Sequence, residues 1–304
     1  MLHPWHNHLG SQRDWVWRGW QTRYTYIRAA DPIHPDSTPI VFLHGFGASL
    51  TQWRSNLIPL SQTHTVYALD LLGFGASEKA PTDFRVGLWV DQVRDFCREL
   101  IGQPVILVGH SLGALVALTA AVIDPELVHG MVLLTLPASR QELLPGWSQS
   151  WVGNIESIFA TPFLIRPLLR VIRRPGFLRA VLKTVYSNRE YVTDELISSF
   201  AIPAYDRGAA KVLCRLVQAR TQNDFSLSTK TLLQDLDLPM LLLWGEQDRV
   251  IPLSWGRQLP LINPQLKMVE IPDSGHCPYD ECADRVNQEI LAWVKLCIEP
   301  KGPA

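Results

Sequence analysis

Val105-Ile-Leu-Val-Gly109-His110-Ser111-Leu112-Gly113-Ala114 decides the fold. A short apolar run breaks at Gly-x-Ser-x-Gly, and the small residues of 114–123 then continue at helical spacing up to Asp124-Pro125. A strand that turns sharply into a helix pushes the serine hydroxyl out of the end of a sheet. Gly109 and Gly113 leave room where a β-carbon would meet neighbouring backbone. The helix N-terminus offers free N–H groups and a positive dipole to developing negative charge. Ser111 is therefore the candidate nucleophile.

Outward from this turn, further apolar runs close on turn residues: 40–43, 66–69, 131–134, 240–244 and 268–271. Uninterrupted apolar strands are those buried on both faces, as in a parallel sheet. A helical pattern over 89–101 and the helix after Ser111 alternate with them. The expected architecture is a doubly wound, mostly parallel α/β sheet. Alternation over 21–29 (Arg23, Tyr24, Thr25, Tyr26, Ile27, Arg28) reads as a half-buried strand. Between about 139 and 236 the strand–helix rhythm stops. That stretch is helix-like and broken by Pro145, Pro162, Pro167 and Pro175. Trp147, Trp151, Phe159, Phe163 and Phe177 lie among Arg140, Arg166, Arg170, Arg173, Arg174, Arg179, Lys183 and Arg189, against Glu142, Glu156 and Glu190. The division is a core of 1–138 and 237–304 with an inserted helical cap of 139–236.

A serine hydroxyl needs a base, and the base needs an orienting carboxylate. In this kind of sheet the order is Ser, Asp/Glu, His, with each group at a strand's carboxyl end. Met240-Leu-Leu-Leu-Trp244-Gly245-Glu246-Gln247-Asp248 and Ile271-Pro-Asp273-Ser-Gly275-His276 supply both. His276 is the base candidate and Asp248 its orienter. Glu246, which follows the turn glycine, and Asp273, placed to cap a turn, compete with Asp248. Phe42-Leu43-His44-Gly45-Phe46-Gly47 ends an earlier strand in a glycine-rich loop. It is the source of an oxyanion donor, with the N–H of Phe46 as one and that of Leu112 as the other. Each such donor lowers an acyl-transfer barrier by about 3–4 kcal/mol in a dry site. His110 reads as packing within the turn.

Composition narrows the alternatives. The 304 residues are 47% hydrophobic and 19% charged with a net charge of −1, so no basic surface calls for nucleic acid. Five cysteines without a C-x-x-C pair read as reduced thiols in a cytoplasmic protein. The N-terminus lacks the regions of a signal peptide, and no apolar run is long enough to span a membrane. His3, His6 and His8 have no second ligand cluster behind them, so neither a metal nor another cofactor is expected. Asp70-Leu-Leu-Gly73-Phe74-Gly75-Ala-Ser77 lacks the third glycine of a dinucleotide fingerprint and reads as a tight surface turn.

On His44-Gly-Phe-Gly, Gly109-His-Ser-Leu-Gly, Trp244-Gly-Glu-Gln-Asp248 and Gly275-His276, the chain resembles the α/β-hydrolase superfamily over roughly 39–294. Trp15-Val-Trp17-Arg18-Gly19, Trp53-Arg54 and the stretch from Val66 to Gly75 are similar to a cyanobacterial and plastid branch. That branch includes chlorophyll dephytylase and pheophytinase, which cleave a phytyl ester. The resemblance implies hydrolysis of a hydrophobic carboxylic ester. The same triad also supports C–C bond hydrolysis of a vinylogous diketone. A non-catalytic binding protein is the reading from a different class, and the ordered triad argues against it. Relatives that open epoxides or remove halogen resemble an aspartate-nucleophile pattern, whereas this chain has Ser111. The expected partner is a small hydrophobic ester. The basic excess of 139–236 fits a solvated face, an anionic membrane surface or a carboxylated substrate. Oligomeric state has no signature in the sequence.

Overall fold

The structure is a computed structural model that describes residues 9–30, 37–139, 142, 167, 169–220, 222, 224–234 and 236–298. Eight strands form one sheet: β1 (Ser11–Trp17), β2 (Trp20–Ile27), β3 (Ile40–Leu43), β4 (Val66–Leu69), β5 (Val105–His110), β6 (Val128–Leu134), β7 (Met240–Gly245) and β8 (Leu266–Ile271). Their order is β1-β2-β4-β3-β5-β6-β7-β8. Strands β3 to β8 pair in parallel, while β1 and β2 run antiparallel at one edge. The doubly wound α/β expectation is met.

The apolar runs are continuous because both faces of the sheet are covered. Val41, Leu43, Val105, Leu107, Met131, Leu133 and Leu242 face one core cluster. Their neighbours Ile40, Phe42, Ile106, Val108, Val132, Leu134 and Leu243 face the other. Helices α1 (Val86–Phe96) and α2 (Leu112–Ile123) cover the first face. Helix α6 (Ala283–Cys297) covers the second with Val286, Ile290, Trp293 and Val294, a stripe at helical spacing.

One strand is added and one local reading changes. The polar start of β1 hides a strand, which pairs with β2 from Ser11↔Tyr26 to Trp17↔Trp20. Its two-residue turn holds Arg18 at φ +48° and Gly19 at φ +86°, the doubly left-handed geometry that matches strand twist. Trp15 and Trp17 enter the first core cluster, and their indole N–H groups donate to Glu99 (3.1 Å) and Asp95 (2.8 Å). Asp70 to Gly75 is likewise no surface turn, because every residue of that stretch is buried. Its glycines mark tight packing: Gly73 lies against Phe84 and Gly75 against the Asp70 carboxylate.

Between β6 and β7 the described residues form α3 (Pro175–Val185), α4 (Asp194–Ala201), α5 (Ala209–Arg220) and a short helix Thr229–Gln234. Pro175 opens α3 rather than interrupting it, in the first turn where its missing N–H costs nothing. The Thr193 hydroxyl caps α4 by accepting from the N–H of Leu196 at 3.2 Å. Leu182, Tyr186, Leu196 and Ile197 join the second core cluster, and Val212 and Leu216 join the first. These helices therefore bury their apolar faces in the same two cores as the sheet. Pro145, Trp147, Trp151, Phe159, Pro162 and Phe163 lie outside the described residues.

Helix α2 begins against the end of β3. A β-carbon on Gly113 would stand 2.2 Å from the carbonyl oxygen of Leu43, and one on Gly109 would stand 2.3 Å from that of Gly113. Both obstacles are backbone, which cannot rotate away. Gly113→Ala is expected to destabilise the protein by about 2–3 kcal/mol, the upper range for overpacking. Urea unfolding checks this; a variant as stable as the parent would contradict the packing described.

Candidate active site

Ser111 sits between β5 and α2 with φ +51° and ψ −113°, a strained backbone for a residue with a side chain. Strand pairing enforces it: its N–H donates to the Leu134 carbonyl (2.9 Å). Its own carbonyl accepts from Ala114 (3.0 Å) and Leu115 (3.1 Å), the first turn of the helix. Leu112 opens α2, so its N–H is one of the helix's unpaired donors.

At the far ends of β7 and β8 the two remaining loops are pressed together. A β-carbon on Gly245 would stand 2.0 Å from the Gly275 carbonyl oxygen, and Gln247 N–H donates to Ser274 at 2.9 Å. This brings the Asp248 carboxylate Oδ2 to 2.8 Å from His276 Nδ1. Both residues are buried. The other carboxylate oxygen, Oδ1, accepts from the N–H groups of Val250 (2.7 Å) and Ile251 (2.9 Å). The Asp248 carboxylate is thus fixed before it meets the imidazole. The competing acids are elsewhere: Glu246 and Asp273 are exposed, and Asp273 accepts from the Gln247 amide at 3.3 Å in its turn.

The loop after β3 is fixed by its own histidine. His44 is fully buried and accepts at Nε2 from the Leu71 N–H (3.1 Å), so the ring proton is on Nδ1, which donates to the Gly45 carbonyl (2.8 Å). The Ala48 N–H reaches the same carbonyl at 3.2 Å. That carbonyl belongs to the Gly45–Phe46 peptide, whose N–H points the opposite way in a trans bond. Fixing one end aims the other, and the aimed group is the Phe46 N–H. Gly47 follows in the left-handed region at φ +72°. The Phe46 side chain is partly exposed, with its ring 5.5 Å from that of Phe74 and under the Arg220 guanidinium at 5.5 Å.

Burial decides the charge states beneath this loop. It pushes His44 down to about 4, outweighing the Gly45 hydrogen bond that acts the other way. Burial also pushes Asp70 up to about 6, against the N–H donors of Leu50 (2.6 Å) and Ala76 (2.7 Å). The two groups stand 3.9 Å apart.

Several supporting residues carry no local sequence signal. Arg54 bonds both Asp280 oxygens at 2.6 and 2.7 Å, and the Tyr186 hydroxyl donates to Asp280 at 2.8 Å. Glu281 accepts from the N–H groups of Gly275 (2.9 Å), Ser187 (2.7 Å) and Asn188 (3.0 Å). Gln52 accepts from the Gly45 N–H at 3.1 Å. These contacts span up to 226 positions in sequence, which no motif of neighbouring residues reveals. Cys277 beside His276 is buried, and burial pushes its thiol up, away from thiolate chemistry. Among the described residues no three His, Cys, Asp or Glu side chains gather as metal ligands, and no helix is long and apolar enough to cross a membrane. His3, His6 and His8 lie outside the described residues.

A folded-state value of about 4 for His44, against 6.5 unperturbed, means that the unfolded chain takes up a proton there first as pH falls. His44 therefore supports stability fully above 6.5, and that support is lost as pH falls towards 4. Asp70, raised to about 6, acts with the opposite sign over an overlapping range. His44→Gln is expected to flatten the acid-side loss of stability relative to wild type. Urea titrations at several pH values between those limits check this, and equal slopes would contradict a neutral buried His44.

The sequence matches the alpha/beta hydrolase family over residues 40–289. It is 26% identical to the uncharacterized hydrolase YugF of Bacillus subtilis, over 86% of this chain and 92% of that one. It is also 26% identical to the chloroplastic pheophytinase of Arabidopsis thaliana, over 86% of this chain but only 62% of the plant protein's length. Among solved structures, a meta-cleavage product hydrolase superposes with a TM-score of 0.75 at 21% identity, covering 96% of this chain and 100% of that one. With the match spanning β3 to α6, the chain belongs to the alpha/beta hydrolase family.

Proposed function

We propose that this hydrolase cleaves a carboxylic ester with a hydrophobic part, through an acyl-enzyme on Ser111. The observation that carries the reading is the 2.8 Å contact between Asp248 and His276 at adjacent strand ends, with His276 in turn touching His110, the residue before a serine held in a strained strand-to-helix turn. In the first step the Ser111 Oγ attacks the carbonyl carbon while His276 Nε2 takes the hydroxyl proton. Asp248 holds the other ring nitrogen and stabilises the imidazolium. Negative charge on the substrate oxygen is met by the N–H groups of Phe46 and Leu112. His276 then gives its proton to the leaving alcohol, and a water activated by the same ring clears the acyl group. Serine rather than aspartate at the turn favours this path over epoxide or halide chemistry.

Substrate selection is placed in the stretch 139–236, read as a helical cap over the site. Phytyl-type esters are the first class to try, on the strength of the likeness to pheophytinase. A panel of phytyl, long-chain and short-chain esters, together with a ring-cleavage diketone, tests the assignment. Turnover of the diketone with negligible esterase activity would move the reaction to C–C hydrolysis with the same residues.

Ser111→Ala is expected to lower kcat by about 10⁴-fold or more and to abolish labelling by a fluorophosphonate probe, with the fold retained. His276→Ala should behave alike, and the double variant should be little worse than either, since the triad acts as a unit. Equal activity in wild type and Ser111→Ala would remove the mechanism and leave a binding protein.

A further inference from the structure

His110, the residue between Gly109 and the nucleophile, makes a contact that packing alone does not need. Its Nε2 stands 2.9 Å from the main-chain oxygen of His276, 166 positions away. A carbonyl can only accept, so the ring carries its proton on Nε2 and donates it. The ring also meets the His276 imidazole edge-on, with centroids 4.8 Å apart, and the Tyr279 ring at 4.9 Å. Tyr279 packs on Trp53 at 5.0 Å, and Trp53 on Phe42 of β3 at 5.0 Å. A ladder of rings thus runs from the sheet interior to the base. On its remaining side His110 supports the oxyanion loop. A β-carbon on Gly45 would stand 2.8 Å from His110 Nδ1, so glycine lets that loop close on the ring.

We propose that His110 is a positioning residue for the base. It holds the His276 backbone and ring at fixed distance from both the serine turn and the oxyanion loop. This inference rests on the acyl-transfer reading above. Asp248 fixes the His276 ring from its Nδ1 side, and His110 fixes the main chain that carries it. The chemistry also requires that a second imidazole so near the base stay out of the proton transfer. His110 Nδ1 is buried and has no hydrogen-bond partner among the described residues, so a proton placed there would find no acceptor among them. Burial, with the charge that His276 acquires, keeps the ring neutral. The Ser111 proton therefore has one imidazole to go to.

Two substitutions separate the hydrogen bond from the packing. His110→Phe keeps an aromatic ring and removes the donor, whereas the amide of His110→Gln can still reach the His276 carbonyl. Three readouts are taken: steady-state kinetics on a p-nitrophenyl ester, thermal unfolding, and the downfield proton resonance of the His276 Nδ1–H bonded to Asp248. The Phe variant should lose about 10- to 100-fold in kcat with KM within about twofold, the pattern of a displaced catalytic group, and Gln should recover most of the loss. The downfield resonance should broaden in Phe and return in Gln. A Phe variant with wild-type kcat and an unchanged resonance would overturn the proposal. So would equal losses in Phe and Gln, since those would report packing alone. If the Phe variant does not fold, His110→Gln against His110→Asn makes the same comparison, because the shorter amide falls short of the carbonyl; equal kinetics and resonances in those two would overturn the proposal as well. The resonance is read without substrate. Failure of the wild type to cleave any ester would therefore count against the acyl-transfer reading and leave the positioning role to be judged on the spectrum.

Discussion

The first turn of helix α2 lies so close to the carboxyl ends of β3 and β5 that no β-carbon fits between them, and the rest of the site is arranged around that approach. With Gly113 against Leu43 and Gly109 against Gly113, helix α2 can start directly beneath the loop that follows β3. The price is a serine at φ +51°, which the pairing of Ser111 with Leu134 holds in place. The same closeness sets the helix start, with its unpaired N–H groups, beside the loop that carries Phe46, the two donor sources of the proposed mechanism. Oriented backbone donors of this kind need no reorganisation when charge appears. Close approach recurs between β7 and β8, where Gly245 meets Gly275. There it brings the Asp248 carboxylate to the His276 imidazole.

Around these backbone contacts the protein buries polar groups in pairs whose protonation is settled by desolvation. Neutral His44 can accept from Leu71 and donate to Gly45 at once, and only a neutral ring can do both. Asp70 below it takes two backbone N–H donors, which lower its pKa although burial raises it overall. His110 follows the same logic nearer the reaction centre. Three buried groups thus hold loops in place around His276.

What the sequence revealed was whatever depends on neighbouring residues. The serine turn, the Gly-His pair of 275 and 276, and the apolar strands on both sides were readable because each is a local pattern with a steric cause. The choice of Asp248 over Glu246 and Asp273 was readable in part; the geometry of the β7 turn, which leaves the other two exposed, completes it. Strand β1 was not readable. Its first half is polar, and its turn places an arginine where asparagine or glycine would have given the signal. The Gly-rich stretch at 70–77 misleads, because glycine marks close backbone approach inside a core as well as turns on a surface. Asp280, Tyr186 and Glu281 are silent and Arg54 carries a family likeness but no sign of its contact, since each finds its partners across distant parts of the chain.

Those silent residues bear on how specificity and chemistry are joined. Helix α3 ends in Val185, whose carbonyl accepts the His276 N–H at 3.1 Å. The two residues after Tyr186 donate to Glu281, which also takes the Gly275 N–H just before the base. Tyr186 itself reaches Asp280, already held by Arg54 from the segment after the oxyanion loop. The helical stretch between β6 and β7 is therefore bonded to the loop that carries His276, and its Leu182, Tyr186 and Leu196 share a core cluster with Phe42 and Trp53. A side chain changed there acts on the same packing that holds the His276 loop. Reshaping this stretch and holding Asp248 and His276 in register are, in this protein, one mechanical problem.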